Sequence, residues 1–191
     1  MNWIARDQLA SDILSQFSAT EAAKNLLTKE DSVPIFLDKL QNQRLWSDVL
    51  HMLAFLLPIN KTMRWACLCV QTVHKELGYQ LNNDERQIWQ ICQIWLSTES
   101  LREDEGLYQQ AFSIAEKVGL ENPMAYLAIA VFWSKALLEG GDFSINNARL
   151  YRQAIAAVVI ILAMQRPEQI SNFYQQCFEM AYSLDTNTSL N

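Results

Sequence analysis

The chain has 191 residues, half of them hydrophobic and 10% aromatic, enough to bury one sizeable core. Fifteen Lys and Arg against 21 Asp and Glu leave a formal charge of -6. This excludes unspecific binding to nucleic acid or to an anionic membrane surface, since both need a cationic face. Five glycines and four prolines are too few for a sandwich or barrel and fit an all-α fold of long helices.

In chain order, the first helix is predicted over residues 2–17, with Ile4 or Leu9, Ile13, Leu14 and Phe17 on one stripe. No basic segment followed by an apolar run opens the chain, so a secretion signal is not expected. Ser18-Ala-Thr-Glu21 has capping-box spacing and opens a short helix. Ser32-Val-Pro34 starts the next, which ends near Gln43. Three antiparallel pairs follow, over 44–57 with 61–77, 84–98 with 101–118, and 123–139 with 146–165. Pro167 restarts a closing helix to Leu184. Pro58, Gly78 and Gly119 fall just past helix ends, Ser100-Leu-Arg-Glu103 is a second capping box, and Gly140-Gly141 breaks the chain.

The pairs start roughly 40 residues apart, the length of HEAT-type repeats. They share no residue signature, and a compact bundle of antiparallel hairpins gives the same pattern as a short α-solenoid. The expected organisation is one helical domain over 1–184 with a polar tail over 185–191, DTNTSLN. The most apolar run, 154–164, is shorter than the about 20 residues that span a bilayer. It reads as a central helix buried on most sides, without membrane insertion.

Candidate chemistry is thin. Cys67, Cys69, Cys92 and Cys177 lie in apolar helical patterns and read as core thiols, which suits a reducing, cytoplasmic setting. Cys67 and Cys69 point about 200° apart on a helix, so one metal site cannot easily use both. Cys67 and His74 share a face, but two turns put them about 10 Å apart, too far for a nucleophile and its base. Ser47, Asp48 and His51 could be read as nucleophile, orienter and base, yet a helix face lacks the donors of an oxyanion hole. Glu103, Asp104 and Glu105, with Glu99 one turn earlier, fit a favourable helix first turn and accompany no calcium loop. No catalytic residue, metal ligand or cofactor site is expected.

Surface aromatics are the more promising signal. Trp3, Trp46, Trp65, Trp89, Trp95 and Trp133 are many tryptophans for this length, and tryptophan dominates interface hot spots. Most are core by spacing; Trp65 beside Arg64, and Trp133 beside Phe132, are the interaction candidates. Charge is uneven as well. Residues 61–78 hold three basic against one acidic, whereas 79–121 hold eight acidic against three basic, an asymmetry able to orient a partner.

Leu57-Pro58, then Arg64-Trp-Ala-Cys-Leu-Cys69, Asn122-Pro-Met-Ala-Tyr-Leu-Ala-Ile-Ala-Val-Phe-Trp-Ser134 and the apolar run 154–163 resemble a family of all-helical bacterial proteins, over roughly residues 33–184. Members accompany type VI secretion components in many Gram-negative bacteria. The resemblance therefore implies an accessory, adaptor or chaperone role with an effector or secretion component as partner. Where the family carries a proline-rich loop, this chain has residues 135–147, KALLEGGDFSINN, without proline. The expectation is a non-enzymatic protein-interaction module. A small-molecule or enzymatic pocket between helices, a structural subunit of a larger assembly, and a homo-oligomer stay open beside it.

Overall fold

Gly78 and Gly119 end their helices at φ +60° and +86°, the left-handed region that glycine enters without strain. The computed structural model describes residues 8–97, 105–139 and 144–186, apart from the side chains of 136–139, 144, 145, 185 and 186. Ten α-helices lie within them: α1 (Ala10–Leu14), α2 (Glu21–Leu26), α3 (Val33–Asn42), α4 (Trp46–Leu56), α5 (Ile59–Leu77), α6 (Asn83–Ser97), α7 (Glu105–Val118), α8 (Pro123–Glu139), α9 (Ser144–Met164) and α10 (Ile170–Thr186). A 3-10 turn at Pro167–Gln169 precedes α10. The one β feature among the described residues is an isolated antiparallel bridge between Leu9 and Ser32.

That bridge shortens the first predicted helix. Gln8 accepts a hydrogen bond from the Val33 N–H and Ala10 donates to Asp31, both at 2.9 Å, so residues 8–9 are committed to extended pairing. Leu9 is consequently 42% exposed, while Ile13, Leu14 and Phe17 do reach the core. The next start also differs. Thr20, not Ser18, is the N-cap of α2, its hydroxyl accepting from Ala23 N at 3.1 Å. Asp48, at the start of α4, accepts from both the Thr20 N–H (2.9 Å) and its hydroxyl (2.8 Å). It fills the role that a glutamate at the third helical position plays in a capping box, a position held here by Ala23.

Helix α3 begins at Ser32 with Pro34 in its first turn, as expected. It ends in a Schellman turn, with Leu45 N–H bonded to Leu40 O and Arg44 N–H to Gln41 O, both 2.9 Å. Arg44 occupies the left-handed position, φ 56°. Carbonyls around the Pro58 break accept hydrogen bonds from side chains as well. Thr62 donates to Leu57 O and Pro58 O, Tyr151 to Ile59 O, and the half-buried Arg152 guanidinium to Ala54 O and Leu57 O.

Asn146–Met164 is long and apolar enough to cross a membrane by length and composition. In the fold it is the central helix, packed against α4, α5, α8 and α10, with Tyr151, Ile155, Val158, Val159 and Leu162 fully buried. The closing helix α10 returns onto α4 and α5, and the Trp65 indole N–H on α5 donates to Cys177 O on α10 at 2.8 Å. Repeats of a solenoid touch only their neighbours. Contact between the first long hairpin and the last helix makes this a closed bundle. The second capping box at 100–103, the Gly140-Gly141 break, Trp3 and residues 187–191 lie outside the described residues.

Candidate functional site

Along α5 the buried positions Met63, Ala66, Cys69, Val70 and Val73 face the bundle and leave a stripe of Arg64, Leu68, Gln71 and Lys75 turned outward. On α6, Ile88, Ile91, Cys92 and Trp95 are buried, and Trp89, Gln93 and Leu96 form the adjoining rim. Between the two stripes runs a groove built of two open depressions, of about 520 Å³ from Arg64 to Ser97 and about 370 Å³ around His74, Tyr79 and Leu81. Gln71 and Trp89 line both and so join them. Among the described residues of the lining are Arg64 and Lys75, and no aspartate or glutamate.

One end of the groove is fixed by a buried carboxylate. Glu85 is 1% exposed and accepts hydrogen bonds from the Tyr79 hydroxyl (2.8 Å), the Asn82 N–H (2.8 Å) and the Asn122 side chain (2.6 Å). The Asn82 side-chain oxygen in turn accepts from the Glu85 N–H at 2.9 Å, completing a capping box at the start of α6. Asn122 caps α8 through Met124 N–H. The charge therefore sits at two helix N-termini, where the backbone dipoles favour it. Burial pushes the Glu85 pKa up, but the bonds from Asn82, Asn122 and Tyr79 and the nearby His74 outweigh it, and the net shift is downward.

Tyr79 arrives there through the turn that Gly78 makes. In this Schellman motif Tyr79 N–H bonds to His74 O at 2.9 Å, and the two rings meet at 4.6 Å between centroids. The bond to Glu85, then burial, raises the Tyr79 pKa. Burial lowers that of His74, partly offset by the charge of Glu85. The network orders three helix ends; it contains no nucleophile aligned on a base.

The four cysteines are free and buried. Cys67 and Cys69 diverge as helix geometry requires, Cys69 meeting Cys177 of α10 at 3.5 Å and Cys67 meeting Cys92 of α6 beneath the groove. Burial raises the Cys69 pKa, and the contact with Cys67, then burial, raises that of Cys92. Such thiols are poor nucleophiles. Cys67 and His74 belong to different ends of the groove.

The other sequence candidates separate. Asp48 is spent on Thr20, and the His51 ring stacks on Phe17 at 5.0 Å with its Nδ1–H donating to the backbone oxygen of Ser47, so these residues assemble no triad. Glu105 opens α7 and is ion-paired with Lys135 of α8; Glu99, Glu103 and Asp104 lie outside the described residues. The described residues hold no group of three or more His, Cys, Asp or Glu able to bind a metal.

Of the interaction candidates, Arg64 is exposed in the groove, but Trp65 is not at the surface at all. Its ring is fully buried and its one polar atom is bonded to Cys177, because α5 is covered by α9 and α10 on that side. Phe132 and Trp133 are half-buried on α8 in contact with each other (5.1 Å), and Phe132 also meets Phe112 of α7 (4.8 Å); neither lines the groove. The tryptophan at the groove's centre is Trp89, which helical spacing alone left among the core residues. Asn82-x-x-Glu85 spacing was the available signal for the groove's fixed end.

These features define a closed all-helical bundle with an open, cation-edged groove between α5 and α6. The chain belongs to the family of unknown function DUF6931, whose model matches residues 36–185. No curated protein and no solved structure matches it.

Proposed function

We propose that this protein is a non-enzymatic interaction module that receives part of a partner protein in the α5/α6 groove. The observation that carries this reading is the continuity of the groove past Trp89, a residue type that anchors interfaces, between two exposed cations. Its open shape suits a macromolecular segment, and the chemistry around it is positioning rather than catalytic. The resemblance to secretion-associated bacterial proteins supports the narrower reading of a cytoplasmic adaptor or chaperone for an effector or secretion component.

A second reading rests on the depression beside His74 and Trp89, whose volume of about 370 Å³ falls within the range of small-ligand sites. The test is site-specific photo-crosslinking in the native host, with a benzophenone side chain at Gln71 or Gln93 in the groove and at Gln176 on the outer face of α10. A protein adduct formed from both groove positions and not from Gln176 is the expected result. Absence of a groove-specific adduct sinks the proposal and leaves the small-ligand reading.

A further inference from the structure

We infer that the groove's occupant is an acidic amphipathic helix of the partner protein, with one carboxylate on Arg64, another on Lys75 and its apolar face against Trp89. The inference rests on the interaction reading of the groove and adds the chemistry of the partner.

Charge argues first. Lys24, Lys39, Lys135 and Arg166 each hold a carboxylate of this chain. Arg64 and Lys75 are exposed and have no carboxylate partner among the described residues, although acidic residues outnumber basic ones 21 to 15. The two cations therefore face outward from a lining whose described residues include no carboxylate. Such an edge attracts an anionic partner and repels a cationic one.

Spacing argues next. Arg64 and Lys75 are eleven residues apart on α5, about three turns and about 16 Å. On a partner helix lying along the groove, residues eleven apart likewise face the same way. A strand covers that distance in about five residue steps, and side chains five apart on a strand point to opposite faces. The groove walls are helices with their backbone groups already bonded, so no sheet edge exists for a strand to join. Leu68, Trp89 and Leu96, in the same lining as Arg64, supply the apolar strip that an amphipathic helix needs.

Two exposed cations on a chain of net charge -6 make a poor track for a nucleic-acid backbone, whose binding is built from many phosphate contacts. The groove adducts test the inference. Mass spectrometry of the adduct at Gln71 is expected to map to a helical segment carrying Glu or Asp eleven residues apart. The double reversal Arg64→Glu with Lys75→Glu, checked for folding by circular dichroism, is expected to cut adduct yield about tenfold or more.

A synthetic helical peptide of about 15 residues, with glutamates eleven apart and leucines between them on the same face, is expected to bind the wild-type protein more weakly as salt is raised. The version with lysines at those two positions is expected to bind only the double reversal. A mapped segment without the acidic pair, a yield unchanged by the reversal, or failure of the glutamate peptide to bind overturns the inference. The interaction reading survives these results so long as the groove adduct forms, and falls only if it does not.

Discussion

Asn122 donates its side-chain N–H to Glu85 at 2.6 Å and thereby ties the first turn of α8 to the first turn of α6, across 37 residues of sequence. Glu85 also holds Tyr79, so the turn that closes one end of the groove depends on one carboxylate. Glu85→Gln keeps the shape and removes the charge. It is expected to destabilise the fold by about 1.5–3 kcal/mol, the range for a charge-assisted hydrogen bond in a buried site, as read from urea midpoints near neutral pH.

The same site predicts how stability responds to acid. The folded pKa of Glu85 lies below its ordinary 4.5, so its contribution is complete above that value and is lost as pH falls through the lower folded value. His74 is also shifted down, from 6.5, so the unfolded chain takes up its proton first and stability already declines as pH falls below 6.5. Stability measured against pH is expected to fall in two limbs. His74→Gln should flatten the upper limb, and Glu85→Gln should weaken the lower, to which Asp31, also shifted down, contributes. An upper limb unchanged by His74→Gln, or a lower limb unchanged by Glu85→Gln, would count against these assignments.

Asp48 and Thr20, 28 residues apart, share two hydrogen bonds. Asp48→Ala is expected to cost about 2–3 kcal/mol and Thr20→Ala somewhat less, and the double substitution should cost less than their sum by about 1–3 kcal/mol. Thr20→Ser keeps the hydroxyl and should be close to neutral. Chemical denaturation of the four variants measures the coupling, and strict additivity would exclude the shared cap.

What the sequence made legible follows from how local each signal is. Ser32-Val-Pro34, Gly78 and Gly119 marked helix ends because each acts through its own backbone. The cap of α2 was misplaced because its carboxylate comes from α4, and no spacing near residue 20 reveals that. The end of α3 near Gln43 was legible without a glycine to mark it, and the left-handed position just past it is held by Arg44. Trp65 and Trp89 show the limit for the site. Both lie on apolar helical patterns, and exposure was decided by α9 and α10 covering one side of α5 while the α5/α6 face stayed open. The charge of α5, by contrast, was visible in the composition of residues 61–78.

Arg44 and Gly78 occupy equivalent positions in two Schellman turns, at φ 56° and +60°. Arg44→Gly removes a left-handed penalty of about 1–2 kcal/mol and adds a glycine entropy cost of about 0.5–1 kcal/mol, for a net gain of up to about 1.5 kcal/mol. At Gly78 an added Cβ would meet nothing within 4 Å, so Gly78→Ala suffers the backbone penalty without a steric clash. It is expected to lose about 1 kcal/mol. Opposite shifts in thermal midpoint are the expected readout, and shifts of the same sign would show that something other than backbone conformation dominates.

Trp65 and Arg64 are neighbours in sequence and divide stability from recognition. Trp65 is fully buried with its indole bonded to α10, so Trp65→Ala is expected to cost about 3–5 kcal/mol through the cavity it leaves. Trp65→Phe retains most of the packing and removes one bond to the Cys177 carbonyl, which keeps its partner within α10, at a cost of about 0.5–1.5 kcal/mol. Neither substitution changes the groove lining, so any loss of partner binding should track the fraction of molecules still folded. Arg64→Glu is expected to do the reverse, leaving the thermal midpoint nearly unchanged while lowering affinity for the partner. Binding and unfolding measured on the same preparations decide the matter. If Trp65→Phe loses binding while fully folded, α5 and α10 must move together with the groove, and Trp65 would then couple to recognition from inside the core.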